Sequence, residues 1–344
     1  MTPLFRKILG MNWVLVLTMY GLLVFGVFSI ESAARHLPNG GEWYAERQKL
    51  WVIIGSVVYF ATALIDYRWL KWLGIPLYLV GVGMLVFLLQ TESETHQIVL
   101  EQVGISFQPT QIVIAAGILL MGFALEGLPK LHPALGAPYI RLAIIGILCG
   151  VPFLLVVKAG DMGSAIVWLP VAFVSLLAGG LPVRYLTVLA ILGFGILPII
   201  HFIALPLASE RGAERVELYL NILEKGNVEL SDPTYAPYFV SMAVGKAGWK
   251  GVGWNAGVEK NSIHAKRWVP WTTAHNDYIF AVIAEEHGFR GSLLLISAFT
   301  LLLIQCLFIA FYSRDFSGQI IAAGVVALFF AHIFESIGMC VLLM

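Results

Sequence analysis

About nine apolar stretches, separated by short polar connections and one long one, limit what this chain can fold into more than any other feature. They run from Trp13 to Ile30, Leu50 to Ile65, Trp72 to Leu89, Ile112 to Leu125, Leu142 to Val157, Ala165 to Ala178, Tyr185 to Leu205, Ser292 to Tyr312 and Gln319 to Phe334. Roughly 20 apolar residues in a helix cross a ~30 Å hydrocarbon core, so the longer runs span it and the shorter ones need an apolar extension at one end. The bilayer core offers the backbone no water, and weak period-2 alternation argues against a barrel, so the spans are expected to be helices. With 59% hydrophobic and 12% charged residues, and a mean hydropathy of +0.85, the class is a polytopic, all-α membrane protein. A single integral membrane domain over residues 1–344 is expected.

The first run is full length and no small-residue cleavage site follows it, so it is read as a retained span and not a signal peptide. Net charge is zero, but its distribution is informative, because Lys and Arg in short loops favour the cytoplasmic side. Arg6 and Lys7, Arg68 and Lys71, Lys130 and Arg141, Arg184, and Arg314 occupy alternate connections. That pattern sets the N-terminus inside. Glu31, Glu42, Glu46, Glu92, Glu94, Glu101 and Asp161 lie on the opposite connections. Cys149, Cys306 and Cys340 sit in apolar stretches without ligand spacing, so neither a disulfide nor a thiolate metal site is expected. No nucleic-acid partner is expected either.

One outer segment, from Pro206 to Arg290, is about 85 residues long, well beyond the ~12–15 residues of an ordinary connection. Within it, GKAGWKGVGWNAG (Gly245 to Gly257) spaces glycines closely enough for tight turns and close backbone approach to a ligand. Lys246, Lys250, Lys260, Lys266 and Arg267 follow at short intervals. Together they read either as solvated turns or as a cradle for an anion such as pyrophosphate.

The segment closes on AHNDYIFAVIAEEHGFRG, from Ala274 to Gly291, which puts His275, Asp277, Glu285 and Glu286 where a membrane protein presents ionisable groups to a polar substrate. Asp277 stands at the lip of an apolar run, where desolvation would favour its neutral form unless a cation offsets it. It reads as a reactive or cation-binding carboxylate, or as a helix N-cap. Ionisable groups inside spans are costly and mark cavities or paths. Asp161 reads first as a partner of Lys158 or as an N-cap; Glu335 and His332 sit near the end of the last run.

These residues resemble, in order along most of the chain, the SEDS family (shape, elongation, division and sporulation), represented by RodA and FtsW. MNWVLVLTMYGLLVFGVFSIESA (Met11 to Ala33) is similar to the family's opening helix, and YAERQKLWVIIG (Tyr44 to Gly55) with IDYRWL (Ile65 to Leu70) to its second. ISFQPTQ (Ile105 to Gln111) resembles the Q-P-S-E entrance to the fourth helix, and GDMGSA (Gly160 to Ala165) a P-D-L-G-T-A element. Arg215 resembles the arginine before the family's outer-loop helix, and YFVSMAVGKAGWKGVG (Tyr238 to Gly253) its glycine-rich loop. The strongest match sets AHNDYIFAVIAEEHGFRG against A-H-T-D-F-I-F-A-x-x-G-E-E-x-G-x-x-G.

The resemblance implies a roughly ten-helix fold and a peptidoglycan glycosyltransferase of the bacterial cytoplasmic membrane, polymerising lipid II at the outer face. Asp277 would be catalytic, as a general base or by holding a divalent cation, Mg or Mn. His275, Lys266, Arg267, Lys250, Arg215, Asp161 and Gln111 would contact substrate, with Lys266 and Arg267 offsetting charge on undecaprenyl pyrophosphate. The implied partners are a class B penicillin-binding transpeptidase and other elongation or division proteins.

The chain departs from the family pattern in four places. Gln111 and Ile114 replace the Glu and Lys of Q-P-S-E-x-x-K, a joint loss expected of a buried pair. PWTTAHND (Pro270 to Asp277) replaces P-E-A-H-T-D, and no Gly-Ala-x-Arg-Trp element precedes the fourth helix. The chain stops at IGMCVLLM (Ile337 to Met344), where the family continues into a last helix, so it reads as truncated or divergent. Two alternatives therefore stand beside the enzyme: a non-catalytic member that binds precursor or scaffolds the synthesis complex and, more weakly, a lipid carrier or flippase.

Overall fold

The computed structural model describes residues 9–90, 98–100, 105–199 and 235–341. Each apolar run coincides with a helix over its described residues: α1 (Trp13–Ala33), α2 (Gly40–Leu64), α3 (Leu70–Gln90), α4 (Pro109–Leu131), α5 (Pro138–Lys158), α6 (Met162–Ile166) with α7 (Trp168–Ala178), and α8 (Val183–Ile199). The long connection contributes α9 (Tyr235–Lys246), and the chain continues through α10 (Ile279–Phe311) and α11 (Phe316–Cys340). Among the described residues six helices are long and apolar enough to cross a membrane, namely α1, α3, α4, α5, α10 and α11. Their outward faces carry Leu17, Val24, Phe28, Leu79, Ile147 and Leu154, all exposed in the isolated chain; apolar surface of that extent belongs against lipid. One connection carries a short hairpin, which leaves the all-α class unchanged. Ile98–Leu100 (β1) and Ile105–Phe107 (β2) pair antiparallel, with Ile98 opposite Phe107, a hairpin too short for its apolar pattern to be separated from a helix entrance.

The chain divides into two compact units, and α2, α8, α10 and α11 contribute to both. One unit is built mainly from Phe60–Leu189 and Leu303–His332. Its centre is α4, where Val113, Ile114, Ala116, Ile118, Met121 and Leu125 are buried at successive turns. Lipid tails give helices no hydrophobic reason to associate, so close contact depends on small residues. Gly117 accordingly admits the ring of Trp168, and Gly122 lies against Ile321. Polar groups are spent locally: Tyr78 donates to the Leu148 carbonyl (2.9 Å), and Arg141 donates to the Gly179 carbonyl (2.6 Å) at the end of α7. Tyr67 and Arg68 both bond Asp315, the latter at 2.9 Å, so the connections around residues 65–69 and 312–315 meet.

The α5–α6 turn shows how GDMGS is used. Gly160 adopts φ +86, letting its own N–H bond the Val157 carbonyl (3.0 Å) and the Asp161 N–H bond the Val156 carbonyl (3.2 Å), a Schellman stop. Asp161 then caps α6, accepting from the Ser164 N–H at 3.0 Å. Its second oxygen accepts from Gln108 Nε2 at 2.9 Å. The expected Lys158 partner is thus replaced by Gln108, one turn before Gln111, because the cap aims the carboxylate away from α5.

The second unit comprises Met11–Tyr59, Ala190–Leu302 and Ile333–Met344 over their described residues. Its core joins Ala33 of α1, Phe239, Val240 and Ala243 of α9, Ile263 and Val269 of the loop, Phe280 to Ala284 of α10, and Cys340 of α11.

Candidate functional site

The site region of the second unit is organised by a break in α10. Gly288 takes φ 69 and ψ −167, a conformation open only to glycine, which interrupts the helical hydrogen bonds and leaves carbonyls before it and N–H groups after it without intrahelical partners. The glycine-rich loop supplies both. Val252 and Gly253 donate to the Glu285 and Glu286 carbonyls at 2.9 and 3.0 Å, while Phe289 and Arg290 donate to the Gly248 and Trp249 carbonyls at 2.8 and 3.3 Å. A Cβ on Gly251 would collide with the Glu286 carbonyl, and one on Gly288 with the Gly251 amide. The close approach read from the glycines is therefore to the chain itself. The N–H groups of Val252 and Gly253, candidates for an anion cradle, are already committed to α10.

Glu285 and Glu286 also point inward, 3% and 4% exposed. Glu285 accepts from the Ile263 N–H, the His264 N–H (3.1 Å) and the Ser262 hydroxyl (3.3 Å). Glu286 accepts from the Ser32 hydroxyl at the end of α1 and from the Asn255 N–H (2.9 Å). The acidic pair that the sequence offers to substrate instead fastens the loop and α1 to α10. Buried carboxylates persist in this way only when hydrogen-bonded.

Beyond α1, Arg35 donates to Asn255 Oδ1 (2.7 Å) and to His36 Nε2 (3.3 Å). The His36 ring meets the His264 ring edge-on, centroids 5.0 Å apart. His264 is 1% exposed; burial first, then Arg35 and His36, push its pKa down to about 3. Lys266 bonds Asn261 and lies 4.9 Å over the Trp268 ring. Arg267 is exposed, has φ 60, and sits 6.0 Å from the Trp271 ring centroid.

His275 and Asp277 follow in a run of turns over residues 271–278. The His275 ring packs on Tyr44, centroids 4.8 Å apart, with Nδ1 buried and without a partner. Burial holds its pKa below the ordinary imidazole value, with the Asp277 charge pulling the other way. Asp277 is exposed, not desolvated as its place at the lip of an apolar run suggests: it stands in the turn two residues before α10 begins, and its side chain is left at the surface. Its backbone carbonyl accepts from the Cys340 thiol at 3.8 Å.

The structure thus gathers His275 with Asp277, and holds Arg267 in the same unit, its N–H donating to the His264 carbonyl. Lys250 stands exposed on the glycine-rich loop. Asp161 and Gln111 belong to the other unit, where Gln111 is exposed and Ile114 fully buried. Arg215 lies outside the described residues. Arg35, His36, His264 and Gln108 are absent from the sequence reading. Arg35 carried one signal, a basic residue directly after the first span on the side that the charge pattern assigns outside. Among the described residues no three His, Cys, Asp or Glu side chains are grouped to hold a metal.

The SEDS resemblance is borne out by comparison with known proteins. The FtsW/RodA/SpoVE model, described as a cell cycle protein, matches residues 8–344. A probable peptidoglycan glycosyltransferase FtsW of Geobacter sp. strain M18 is 27% identical over 339 residues, 94% of this chain and 85% of the relative. The peptidoglycan glycosyltransferase MrdB of Escherichia coli K12 is 30% identical over 239 residues, 68% of this chain and 59% of the relative. Among solved structures, a chain from work on polymerisation and crosslinking by a peptidoglycan synthase complex superposes with TM-score 0.75 at 22% identity, covering 98% of this chain and 89% of that one. The Thermus thermophilus rod shape determining protein RodA superposes with TM-score 0.64 at 22% identity, covering 96% and 85%. At such identities the solved structures speak for the fold alone, but the family match runs from the first span to the last residue, and this chain belongs to the FtsW/RodA/SpoVE family of membrane proteins.

Proposed function

We propose that this protein is a peptidoglycan glycosyltransferase that polymerises lipid II in bacterial cell elongation or division. The observation that carries the reading is the likeness to curated peptidoglycan glycosyltransferases along 94% of the chain, with Asp277 of the matching polar motif exposed beside His275. In this reading Asp277 takes the proton of the acceptor sugar hydroxyl. The hydroxyl oxygen bonds the donor's anomeric carbon as the bond from that carbon to the pyrophosphate oxygen breaks, releasing undecaprenyl pyrophosphate. Lys266 and Arg267 offset the charge that builds on the leaving group.

The protein then sits in the cytoplasmic membrane with its N-terminus inside and its long loop outside. Basic residues on alternate connections support this, as does the contact of Arg68 with Asp315 between two connections assigned to one side. A class B penicillin-binding transpeptidase is the proposed partner, supported by the likeness to a chain of a peptidoglycan synthase complex; other elongation or division proteins would join it. A second reading, a member that binds precursor or scaffolds the complex without polymerising, is favoured by Gln111 and Ile114, which leave two charged positions of the family pattern uncharged.

Purified protein with lipid II, alone and with a candidate transpeptidase, separates the two. Glycan product that falls by roughly 100-fold or more in Asp277→Asn, the scale of a lost general base, supports the enzyme. Undiminished product in that variant refutes the role of Asp277, and precursor binding without product establishes the second reading.

A further inference from the structure

Trp249 and Phe289 are 63% and 57% exposed, and their rings pair at 5.5 Å between centroids. The pairing is built into the backbone, since the carbonyls of Gly248 and Trp249 accept from the Phe289 and Arg290 N–H groups. Trp254 and Val258 add exposed apolar side chains farther along the loop. An exposed aromatic pair held in place by main-chain bonds marks a surface that is covered in use, and its depth says by what. Two spans fix that depth. Residues 289–311 of α10 supply ~34 Å of helix at 1.5 Å per residue, enough to cross a ~30 Å hydrocarbon core, and Leu293, Leu294 and Ile296 are exposed soon after the pair. On the other side of the break, Glu286 bonds Ser32 in the last turn of α1, and the His287 ring meets that of Phe25 at 5.6 Å. The end of α1 and the start of the α10 span therefore lie at one level, and the bond to Arg290 holds Trp249 there.

Aromatic rings concentrate at the headgroup level of a bilayer, where the ring is dehydrated and an indole N–H still finds a partner. Cations stand beside the pair in the chain: Lys246 closes α9, and Lys250 and Arg290 directly follow Trp249 and Phe289. All three are exposed, and none enters an ion pair among the described residues. Such side chains lay their stems on apolar surface and carry their charge to lipid phosphates. We infer that the glycine-rich loop is a membrane anchor: Trp249 and Phe289 insert among the phospholipid headgroups where the α10 span begins, and Lys246, Lys250 and Arg290 contact the phosphates. Continuity of the pair with the exposed Leu293, Leu294 and Ile296 selects lipid, not a protein, as the cover. The same loop splints the α10 break through four backbone hydrogen bonds, so the anchor ties the break to the bilayer surface. Asp277 lies beyond the short helical segment on the other side of that break; lipid at the loop thus bears on where the carboxylate stands.

The anchor does not depend on the glycosyltransferase reading. The test uses the full chain labelled with fluorinated tryptophan in nanodiscs of phosphatidylcholine and phosphatidylglycerol, with Trp249→Phe assigning the Trp249 fluorine resonance. Phosphatidylcholine spin-labelled at the headgroup is expected to broaden that resonance more than a water-soluble gadolinium chelate does. The reverse order, or a resonance shielded from both once a class B transpeptidase is added, overturns the anchor and assigns the surface to solvent or to a protein. Electron spin resonance of chain-labelled lipids at low salt should show phosphatidylglycerol preferred to phosphatidylcholine next to the protein. Lys246→Gln with Arg290→Gln, both at exposed positions, should cut that preference roughly twofold or more; an unchanged preference overturns the role of the cations. A protein with Trp249 among the headgroups that makes no glycan keeps the anchor and removes the glycosyltransferase reading. Glycan made by a protein whose Trp249 faces water does the reverse.

Discussion

Replacing Glu285 by alanine tests whether the acidic pair of α10 is structural. The carboxylate is 3% exposed and accepts from two backbone N–H groups and one hydroxyl. Alanine leaves all three donors buried and unmet, at about 1–3 kcal/mol each, so a loss of about 3 kcal/mol or more is expected. Against a total stability of about 5–15 kcal/mol for ordinary proteins, that is a large share. At roughly 2–4 °C per kcal/mol, the unfolding midpoint in detergent should fall on the order of 6–12 °C. Tryptic cleavage at Lys260, Lys266 and Arg267 should accelerate as the loop lets go of α10. Glu285→Gln keeps the shape and one acceptor oxygen, so it should lose about half as much. If Glu285→Ala keeps its midpoint and protease resistance yet makes no glycan, the carboxylate acts on substrate and the reasoning here is wrong.

Other consequences follow from the same region. Gly288→Ala must hold φ 69 with a Cβ driven into the Gly251 amide, so a cost of about 3 kcal/mol or more is expected in denaturant or thermal unfolding; an unchanged midpoint would mean that the break is not held as described. His264 titrates near 6.5 when unfolded and at about 3 when folded. The unfolded chain therefore binds the extra proton between those values, and stability, complete above the unfolded value, is lost as pH falls. At about 1.4 kcal/mol per pH unit, acidification to pH 5 should cost about 2 kcal/mol. Midpoints of wild type and His264→Gln compared from pH 7.5 to 5 check this, and equal slopes would refute it. His36 and His275, both lowered mainly by burial, add to the acid limb with the same sign.

The spans were legible in the sequence because lipid leaves the backbone no other solution: an apolar run such as Ile112 to Leu125 must satisfy its own N–H and C=O groups, and a helix does so. The Asp161 cap was legible for a similarly local reason, since a glycine stop followed by Asp sets the turn within six residues. The family was legible through the order of its motifs. What each polar group faces was not. Glycines at 251 and 288 announce close approach without naming the neighbour, and the loop around the first and α10 around the second prove to be each other's neighbours, more than thirty positions apart along the chain. The pair Glu285 and Glu286 has the composition of a catalytic site, but Ile263, His264, Asn255 and Ser32 turn it inward. Arg35 and His36 carry no motif at all, and gain meaning only where the loop brings Asn255 and His264 against them. Sequence fixes what a residue does with its near neighbours because helix geometry is local; which carboxylates are buried and which, like Asp277, are left at the surface depends on contacts far apart in the chain, and only the tertiary fold decides those.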